Sequence, residues 1–508
     1  RVMYIVVGGL AASVSRGALH PPWLPAHKSS SGSPVMAHPA ANETLLLTAY
    51  LEDPAQPLWI IKRSNLGGRG LFATRPIKKG TQIFKNKPLV VAPRADRAGD
   101  TYCCVCYQVV VTYSACERCS QITCSEECNT SLEHKTECEF IINNWKPKPD
   151  CDNFRKVLAQ MQIYLRFLLL SEEQKLMLSL LQNSDIDAKF EELEELCAKY
   201  VIPDEQISFM HFIHSIIKIN SFRIANNPQE RKIALRGLYP LSAFLNHSCV
   251  PNTRNVFHSD YTMAVYATKD IEAGEEILTC YTGLLLCTPA RRCQLYKTKH
   301  FWCKCKRCKD NTEIGTKLSA LKCFDKECVG ILLPTSPLDP RAEWCCDNCA
   351  NKVPCDKISM IQGILGSLQD LANFIPYSNH IFIDLRLRLA LKIGFTEGLK
   401  LNELSESRLA LKESLCRGTL RTVAALGVGD AHLRGLLLYH LHAALAERAR
   451  RSPDLYEEIK SEIESTIEQA YNILQGDISA PPDLELRRRY LGPGCDKPQE
   501  ERFFILDA

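Results

Sequence analysis

Residues Gly237 to Thr253 read GLYPLSAFLNHSCVPNT. Within them Asn246, His247, Ser248 and Cys249 bring an amide, an imidazole and a thiol between an apolar run and a Pro-Asn turn. Taken alone, Asn-His-Ser-Cys is a polar turn, and Asn246-x-Ser248 also fits a glycosylation sequon. The neighbours change that reading. Upstream lies a glycine-rich hairpin, GGRGLFATRPIKKGTQIF, from Gly67 to Phe84; downstream come GEEILTCY, Gly274 to Tyr281, and FWCKCKRC, Phe301 to Cys308.

Working outward, 508 residues are too many for one core, so two to four domains are expected. Charge is nearly balanced, 62 basic against 58 acidic residues for a net +4, so direct nucleic-acid binding is not expected to dominate. Cysteine is the outlier at 25 residues. The thiols fall in C-x2-C, C-x-C and C-x3-C pairs with a histidine at ligand spacing, which favours zinc in a reducing compartment, cytoplasmic or nuclear. Residues 3–15, MYIVVGGLAASVS, imitate the apolar core of a signal peptide, but no stretch reaches the ~18 apolar residues of a membrane span. No membrane partner is expected. The Ser/Pro/Gly-rich composition predicts a disordered leader over 1–55, with residues 1–35 a translated leader or a gene-model extension and Met36 the true start. A secreted, disulfide-bonded protein is the reading that follows if the apolar run is a real signal.

Order is expected from Leu58. Trp59 to Lys62 reads as a strand, Asn65 to Gly70 as a turn, and Leu71 to Phe84 as a return strand with a second turn at Lys79-Gly80. Glycines there let backbone approach a ligand with no Cβ in the way, although a plain hairpin has the same sequence. Residues 103–138 then carry Cys103-x2-Cys106, Cys116-x2-Cys119, Cys124-x3-Cys128 and His134-x3-Cys138. These eight ligands suffice for two closed, structural zinc sites. With so few apolar residues, metal binding and folding of this segment should be one event. From Asp152 to Tyr200 the apolar period turns helical, through Leu158, Met161, Leu165 and Leu168, then Ile186, Phe190, Leu193 and Cys197. Cys303-x-Cys305-x2-Cys308 offers three thiolates, one short of a tetrahedron. Cys323-x4-Cys328 with Cys346-x2-Cys349 is ribbon-like, and Cys345 is an alternative to Cys346. After Pro354 the chain reads as helical to Gln475, its last strong helix starting at Ser452-Pro453 and stopped by Gly476.

The order of these motifs resembles the SET-domain protein-lysine methyltransferases. The cysteine knot after the hairpin narrows the resemblance to SET and MYND domain proteins, and to their arthropod branch. It runs from about Trp59 to Cys349, with a weaker echo to the end. It implies an α+β fold: a SET β-core with a pseudoknot, split by a MYND zinc module and a helical insert, followed by a post-SET zinc site and a C-terminal α-helical lobe. The implied spans are 56–100 and 219–285 for the SET core, 101–140 for MYND and 150–218 for the helical insert. The post-SET segment takes 290–310, the ribbon 320–352 and the lobe 355–508.

The resemblance also implies S-adenosyl-L-methionine as cofactor. Gly68, Arg69, Gly70, Asn220, Ala243, Phe244, Asn246, His247, Tyr281 and Phe301 would surround it, with Tyr281 and Tyr239 as catalytic tyrosines. Cys103, Cys106, Cys124 and Cys128 would hold one zinc ion, and Cys116, Cys119, His134 and Cys138 a second. Cys249 would complete a third site with Cys303, Cys305 and Cys308, and Cys323, Cys328, Cys346 and Cys349 would form a fourth. Fifteen cysteines are then used and ten remain as ordinary thiols, Cys104 among them. One departure stands out: family members carry a glutamine and a tryptophan where this chain has Asn129 and Leu132, which puts a proline-rich-peptide groove in doubt.

Methyl transfer asks for little acid–base chemistry. A neutral lysine amine attacks in line, so the protein must align it, exclude water and offer oxygens to the polarised methyl. The implied function is protein-lysine N-methylation of a histone or non-histone protein by a monomer, with further protein partners through MYND or the lobe. The rival is a non-catalytic SET/MYND scaffold, for example in transcriptional repression.

Overall fold

Trp59 and Ile61 are buried while Lys62 and Arg63 are exposed, the alternation of a strand with one wet face. This strand, β1 (Trp59–Arg63), pairs antiparallel with β2 (Arg69–Ala73), setting Lys62 opposite Gly70. The turn between them uses φ of 130° at Gly67 and 63° at Gly68, a region that side chains with a Cβ avoid. The computed structural model describes residues 57–94, 101–147, 154–183, 191–224, 231–364, 371–396 and 399–506. The expectations for residues 1–55, and for Ile186 and Phe190, lie outside these.

The return strand expected over Leu71 to Phe84 has its turn at Lys79-Gly80, with Gly80 at φ 83°, but breaks earlier as well. It ends at Ala73, two residues ahead of a short stretch with Pro76, which has no N–H for a ladder. The chain resumes as β3 (Gln82–Asn86), which pairs with a strand much later in the sequence, and β4 (Val90–Pro93). The cysteine segment follows, with a hairpin of β5 (Ser114–Ala115) and β6 (Ile122–Thr123) and the helices α1 (Glu126–Thr130) and α2 (Leu132–Asn144). Ser125 and Ser131 cap these helices, accepting from the N–H groups of Cys128 and His134.

The helical stretch expected as one periodic run is divided. α3 (Phe154–Leu168) buries Leu158, Met161 and Leu165; a capping box at Ser171 starts α4 (Glu172–Ser179); α5 (Glu191–Lys199) and α6 (Asp204–Asn220) follow. The chain then returns to sheet. β7 (Ser221–Ile224) and β8 (Leu235–Leu238) join β4 in the order β4-β8-β7. β9 (Asn246–His247) precedes β10 (Thr253–Phe257) and β11 (Met263–Ala267), which pair with each other, β11 also taking β3. β12 (Leu278–Thr279) runs parallel to β9.

That parallel pair is a crossing point of distant chain. Ser248 N–H donates to Thr279 O at 2.9 Å, Asn252 N–H to Leu278 O at 3.1 Å and Ile277 N–H to Leu71 O at 2.8 Å. Next comes α7 (Thr288–Lys299), with Pro289 in its first turn. A four-stranded antiparallel ribbon follows: β13 (Leu321–Lys322), β14 (Ile331–Pro334), β15 (Trp344–Cys346) and β16 (Lys352–Val353). The C-terminal region is built from α8 (His380–Lys392), α9 (Glu406–Ala425), α10 (His432–Arg451) and α11 (Pro453–Leu474). A short antiparallel pair, Phe395–Thr396 with Leu399–Lys400, interrupts the expected helical run.

The stripe of Ile463, Ile467, Ala470 and Leu474 on α11 is buried. The end of α11 docks on the sheet, where Arg254 of β10 donates to the carbonyls of Asn472 and Ile473, each at 3.2 Å. A guanidinium there meets the negative end of the helix. The fold is α+β, as the motif order implied. Among the described residues, no helix is long and apolar enough to cross a membrane.

Candidate functional site

The crossing of β9 and β12 draws the glycine hairpin, the Asn-His motif and Tyr281 together. Asn246 Nδ2 donates to Arg69 O at 2.9 Å and to Glu276 Oε1 at 2.8 Å, and Ser64 Oγ donates to the other Glu276 oxygen at 3.0 Å. Both amide N–H groups of Asn246 are thereby spent stitching the hairpin to the acidic turn. Gly70 sits under this lock: a Cβ there would fall 2.3 Å from Glu276 Oε1 and 2.8 Å from Asn246 Nδ2. A side chain there would have to displace this hydrogen-bonded pair, so glycine suits the position.

His247 is buried, and its Nδ1 accepts from the Tyr281 N–H at 3.0 Å. Burial lowers its pKa to about 4, outweighing the nearby Cys305 thiol. The imidazole is therefore neutral and serves as an internal acceptor. Tyr281 donates its hydroxyl to Leu245 O at 2.5 Å, and burial raises the phenol pKa, so it stays protonated. With its proton committed to a carbonyl, the oxygen can take part in further hydrogen bonds only as an acceptor. The rings of Tyr281 and Phe301 lie 5.2 and 6.0 Å from that of His247.

The remaining candidates are placed as follows. Arg69 donates to Leu180 O and stands 5.0 Å from the Phe244 ring. Ala243 lies in the 3-10 turn Ser242–Phe244, its N–H donating to Tyr239 O at 3.0 Å. Asn220, at the end of α6, gives Nδ2 to Gln182 O at 2.7 Å and Ile216 O at 2.8 Å. Tyr239 has no exposed surface; its hydroxyl donates to Tyr261 O at 2.6 Å and its ring packs on Phe222 and Phe257. Neither Tyr281 nor His247 is among those partners.

Among the described residues, four groups of ligand atoms gather. Cys103, Cys106, Cys124 and Cys128 form one; Cys116, Cys119, His134 and Cys138 a second; Cys249, Cys303, Cys305 and Cys308 a third; Cys323, Cys328, Cys346 and Cys349 a fourth. Within each, all ligand atoms lie within 4.8 Å of one another. Representative sulfur separations are 3.5 Å for Cys106–Cys124, 3.9 Å for Cys116–Cys138, 3.6 Å for Cys249–Cys308 and 3.7 Å for Cys328–Cys346. A tetrahedron with Zn–S bonds of ~2.3 Å has edges of about 3.8 Å, so the groups fit zinc. His134 Nδ1 donates to Asn129 O at 2.6 Å, leaving Nε2, 3.5 Å from Cys119 Sγ, as the ligand atom. Strand alternation decides between neighbours on β15: Trp344 and Cys346 face inward, and Cys345 turns away.

Sequence reading missed the charges beneath the third group. Arg291 and Arg307 are buried around one carboxylate, Glu313, with Arg291 Nη1 at 2.7 Å and Arg307 Nη2 at 3.2 Å. Arg291 Nη2 also donates toward Cys308 Sγ at 3.7 Å. Two guanidiniums against one carboxylate leave a surplus positive charge, which a tetrathiolate–zinc centre, net negative, would balance. Contacts with Cys303, Cys305 and Cys308 push the Cys249 thiol up, while contacts with Cys249, Cys303 and Cys308 push Cys305 down. Such competition is what a bound dication relieves. No local period announces these arginines. Glu276 was legible only as part of GEEILTCY, and Lys299, beside Tyr281, carried no signal.

A SET domain family matches residues 68–282. The chain is 30% identical to the SET domain-containing protein SmydA-8, isoform A, of Drosophila melanogaster over 422 residues, 77% of this chain and 90% of that protein. It is 29% identical to isoform B over 449 residues, covering 80% of this chain and 99% of that one. Human histone-lysine N-methyltransferase SMYD3 is 28% identical over 302 residues, 54% of this chain and 67% of that enzyme. Spanning 90% and 99% of the two fly isoforms, and carrying the SET match across the crossing of β9 and β12, the chain belongs to the SET and MYND domain-containing family, in its arthropod branch.

Proposed function

We infer that the chain is an S-adenosylmethionine-dependent protein-lysine N-methyltransferase. The observation that carries this is the placing of Tyr281: its N–H is held by a neutral buried imidazole and its hydroxyl by a carbonyl. The relative SMYD3 is a histone-lysine N-methyltransferase by name, which supports the same chemistry here.

The cofactor, when bound, supplies the electrophilic methyl. Gly68, Arg69 and Gly70, with Asn246, His247 and Phe301, would hold it. Asn246 and Glu276 keep the hairpin shut against the Asn-His strand. His247 fixes the Tyr281 backbone without titrating near neutrality. The Tyr281 oxygen presents its lone pairs to an entering lysine amine or a polarised methyl, and its raised pKa keeps it from competing as a nucleophile. Water exclusion comes from the buried His247 ring and the half-buried Phe301 beside it. The substrate is a lysine of a histone or another protein. Further protein contacts through the cysteine modules or the helical lobe, a monomeric state, and residence in a reducing cytoplasmic or nuclear compartment complete the reading.

Tyr281→Phe tests it. Cofactor affinity by calorimetry should hold, while transfer of a labelled methyl to histones or cell extract should fall about a hundredfold, ~3 kcal/mol of transition-state stabilisation. A change in affinity with turnover untouched at saturation would make Tyr281 a pocket wall. A wild-type chain that binds no cofactor would point to the scaffold.

A further inference from the structure

Lys299 ends α7 with its side chain turned toward Tyr281. Its Nζ lies 5.5 Å from the centroid of the Tyr281 ring and donates to the carbonyl of Ile219, the residue before Asn220. Among the described residues no carboxylate pairs with it. The backbone around it is held firmly. His300 caps the helix in the left-handed region at φ 59°, and the chain continues to Phe301, beside His247, and to Cys303 in the third ligand group. The segment that sets Phe301 next to the imidazole therefore also sets an amine next to the phenol.

A surface lysine normally gains from water and from acidic neighbours. Lys299 has given up much of the first and has none of the second, and burial lowers its pKa from 10.5 to about 8. Near pH 8 about half of such an amine is neutral, against under ~1% of an ordinary lysine. Neutrality is the condition for attack on a methyl sulfonium.

Resting on the methyltransferase reading, we propose that Lys299 is a methyl acceptor belonging to the chain itself, modified in cis at the Tyr281 site. The Lys299 nitrogen forms the new N–C bond as the sulfonium S–C bond breaks. That bond's electron pair stays on sulfur as S-adenosylhomocysteine, and the resulting methylammonium releases one proton to solvent. Methylation keeps the nitrogen basic but adds bulk where an external lysine would approach, so the modified chain carries a partly filled acceptor site.

The full chain, with its zinc, is incubated with methyl-deuterated S-adenosylmethionine alongside histones and cell extract, and the Lys299 peptide is read by mass spectrometry. Lys299 should gain the label at a fractional rate unchanged by dilution of the chain. In Tyr281→Phe that rate should drop roughly a hundredfold. A Lys299→Arg chain that still binds S-adenosylhomocysteine and keeps its zinc should show no label in this peptide. A second readout needs no turnover: acetic anhydride should acylate Lys299 with an apparent pKa near 8, and S-adenosylhomocysteine should shield it. Label on histones or extract proteins with none on Lys299 overturns the proposal and leaves the methyltransferase reading standing. A rate that falls on dilution overturns modification in cis. No label anywhere, with no cofactor bound, overturns both.

Discussion

The cysteine segment at 101–144 and the helical region from α8 to α11 hold their shape by opposite means. In the first, α1 has no buried residue and the β5–β6 hairpin pairs two residues a side, yet eight ligand atoms converge in two groups. In the second, α10 and α11 bury Leu437, Leu441, Leu445, Ile463, Ile467 and Leu474 against each other and their neighbours, and none of the four ligand groups lies there. Chain entropy has to be offset in both. One region does it with a few strong bonds to an ion, the other with many weak apolar contacts. The first should fail abruptly when the ion leaves, and the second should respond to packing and to buried charge.

The largest effect expected is from metal removal. Metal analysis should find four zinc ions per chain, one for each ligand group. A strong chelator at neutral pH should then unfold the cysteine segment while the helical far-ultraviolet signal of α9 to α11 persists. Structural zinc is worth ~10–16 kcal/mol in isolated fingers, far beyond what this segment's packing can replace. If the helical region melts together with the cysteine segment, the two are one cooperative unit and the contrast is lost.

Acid should act on the helical region through His442. This residue is fully buried, its Nδ1 donating to Ile463 O at 3.1 Å, and burial lowers its pKa from 6.5 to about 3. The unfolded chain takes up this proton first as pH falls. The stabilisation is therefore complete above about 6.5 and is lost progressively between there and about 3. Its size is ~5 kcal/mol as an upper value. Denaturant midpoints against pH should show a shallower acid decline in His442→Gln than in wild type. An unchanged decline would assign the acid sensitivity to ligand protonation in the cysteine groups instead.

Packing comes next. A Cβ at Gly435 of α10 would meet Ile473 Cγ2 at 2.7 Å and Leu474 Cγ at 2.8 Å. Gly435→Ala should cost ~1–3 kcal/mol by forcing α10 and α11 apart, less ~1 kcal/mol returned by helix propensity, with zinc content unaltered. A stabilised variant in urea unfolding would show that the contact yields. The smallest effect belongs to the ion pair joining α9 and α11. Arg417 meets Glu462 at 2.6 and 2.8 Å, but both side chains are more than a third exposed, 35% and 39% for the two. Arg417→Gln should shift the midpoint by under ~1 kcal/mol. A loss of several would mean that charge, not apolar burial, ties these helices.

The legible parts were those that depend on near neighbours in the chain. Ligand spacing within Cys103-x2-Cys106 or His134-x3-Cys138 is set by the reach of one turn around one ion. The apolar stripe of α11 repeats with the helical period, and the glycines at 67 and 68 mark a turn needing positive φ. Spacing left the pairing of the cysteine pairs open. Family resemblance selected the cross-braced sets, and the tertiary structure brings those sets together.

What the sequence alone determined, then, was an inventory of short-range devices: a glycine turn, ligand pairs, caps and helical faces, together with a family order that implied the α+β plan. Only the tertiary structure decided that β3 leaves β2 for β11, that Asn246 locks Arg69 to Glu276, that Arg291 and Arg307 share Glu313, and that Lys299 stands beside Tyr281. Each of these joins residues from separate stretches of the chain. A contact of that kind imposes no period on either stretch, because its energy depends on where the fold brings the partners and not on what lies next to them in sequence.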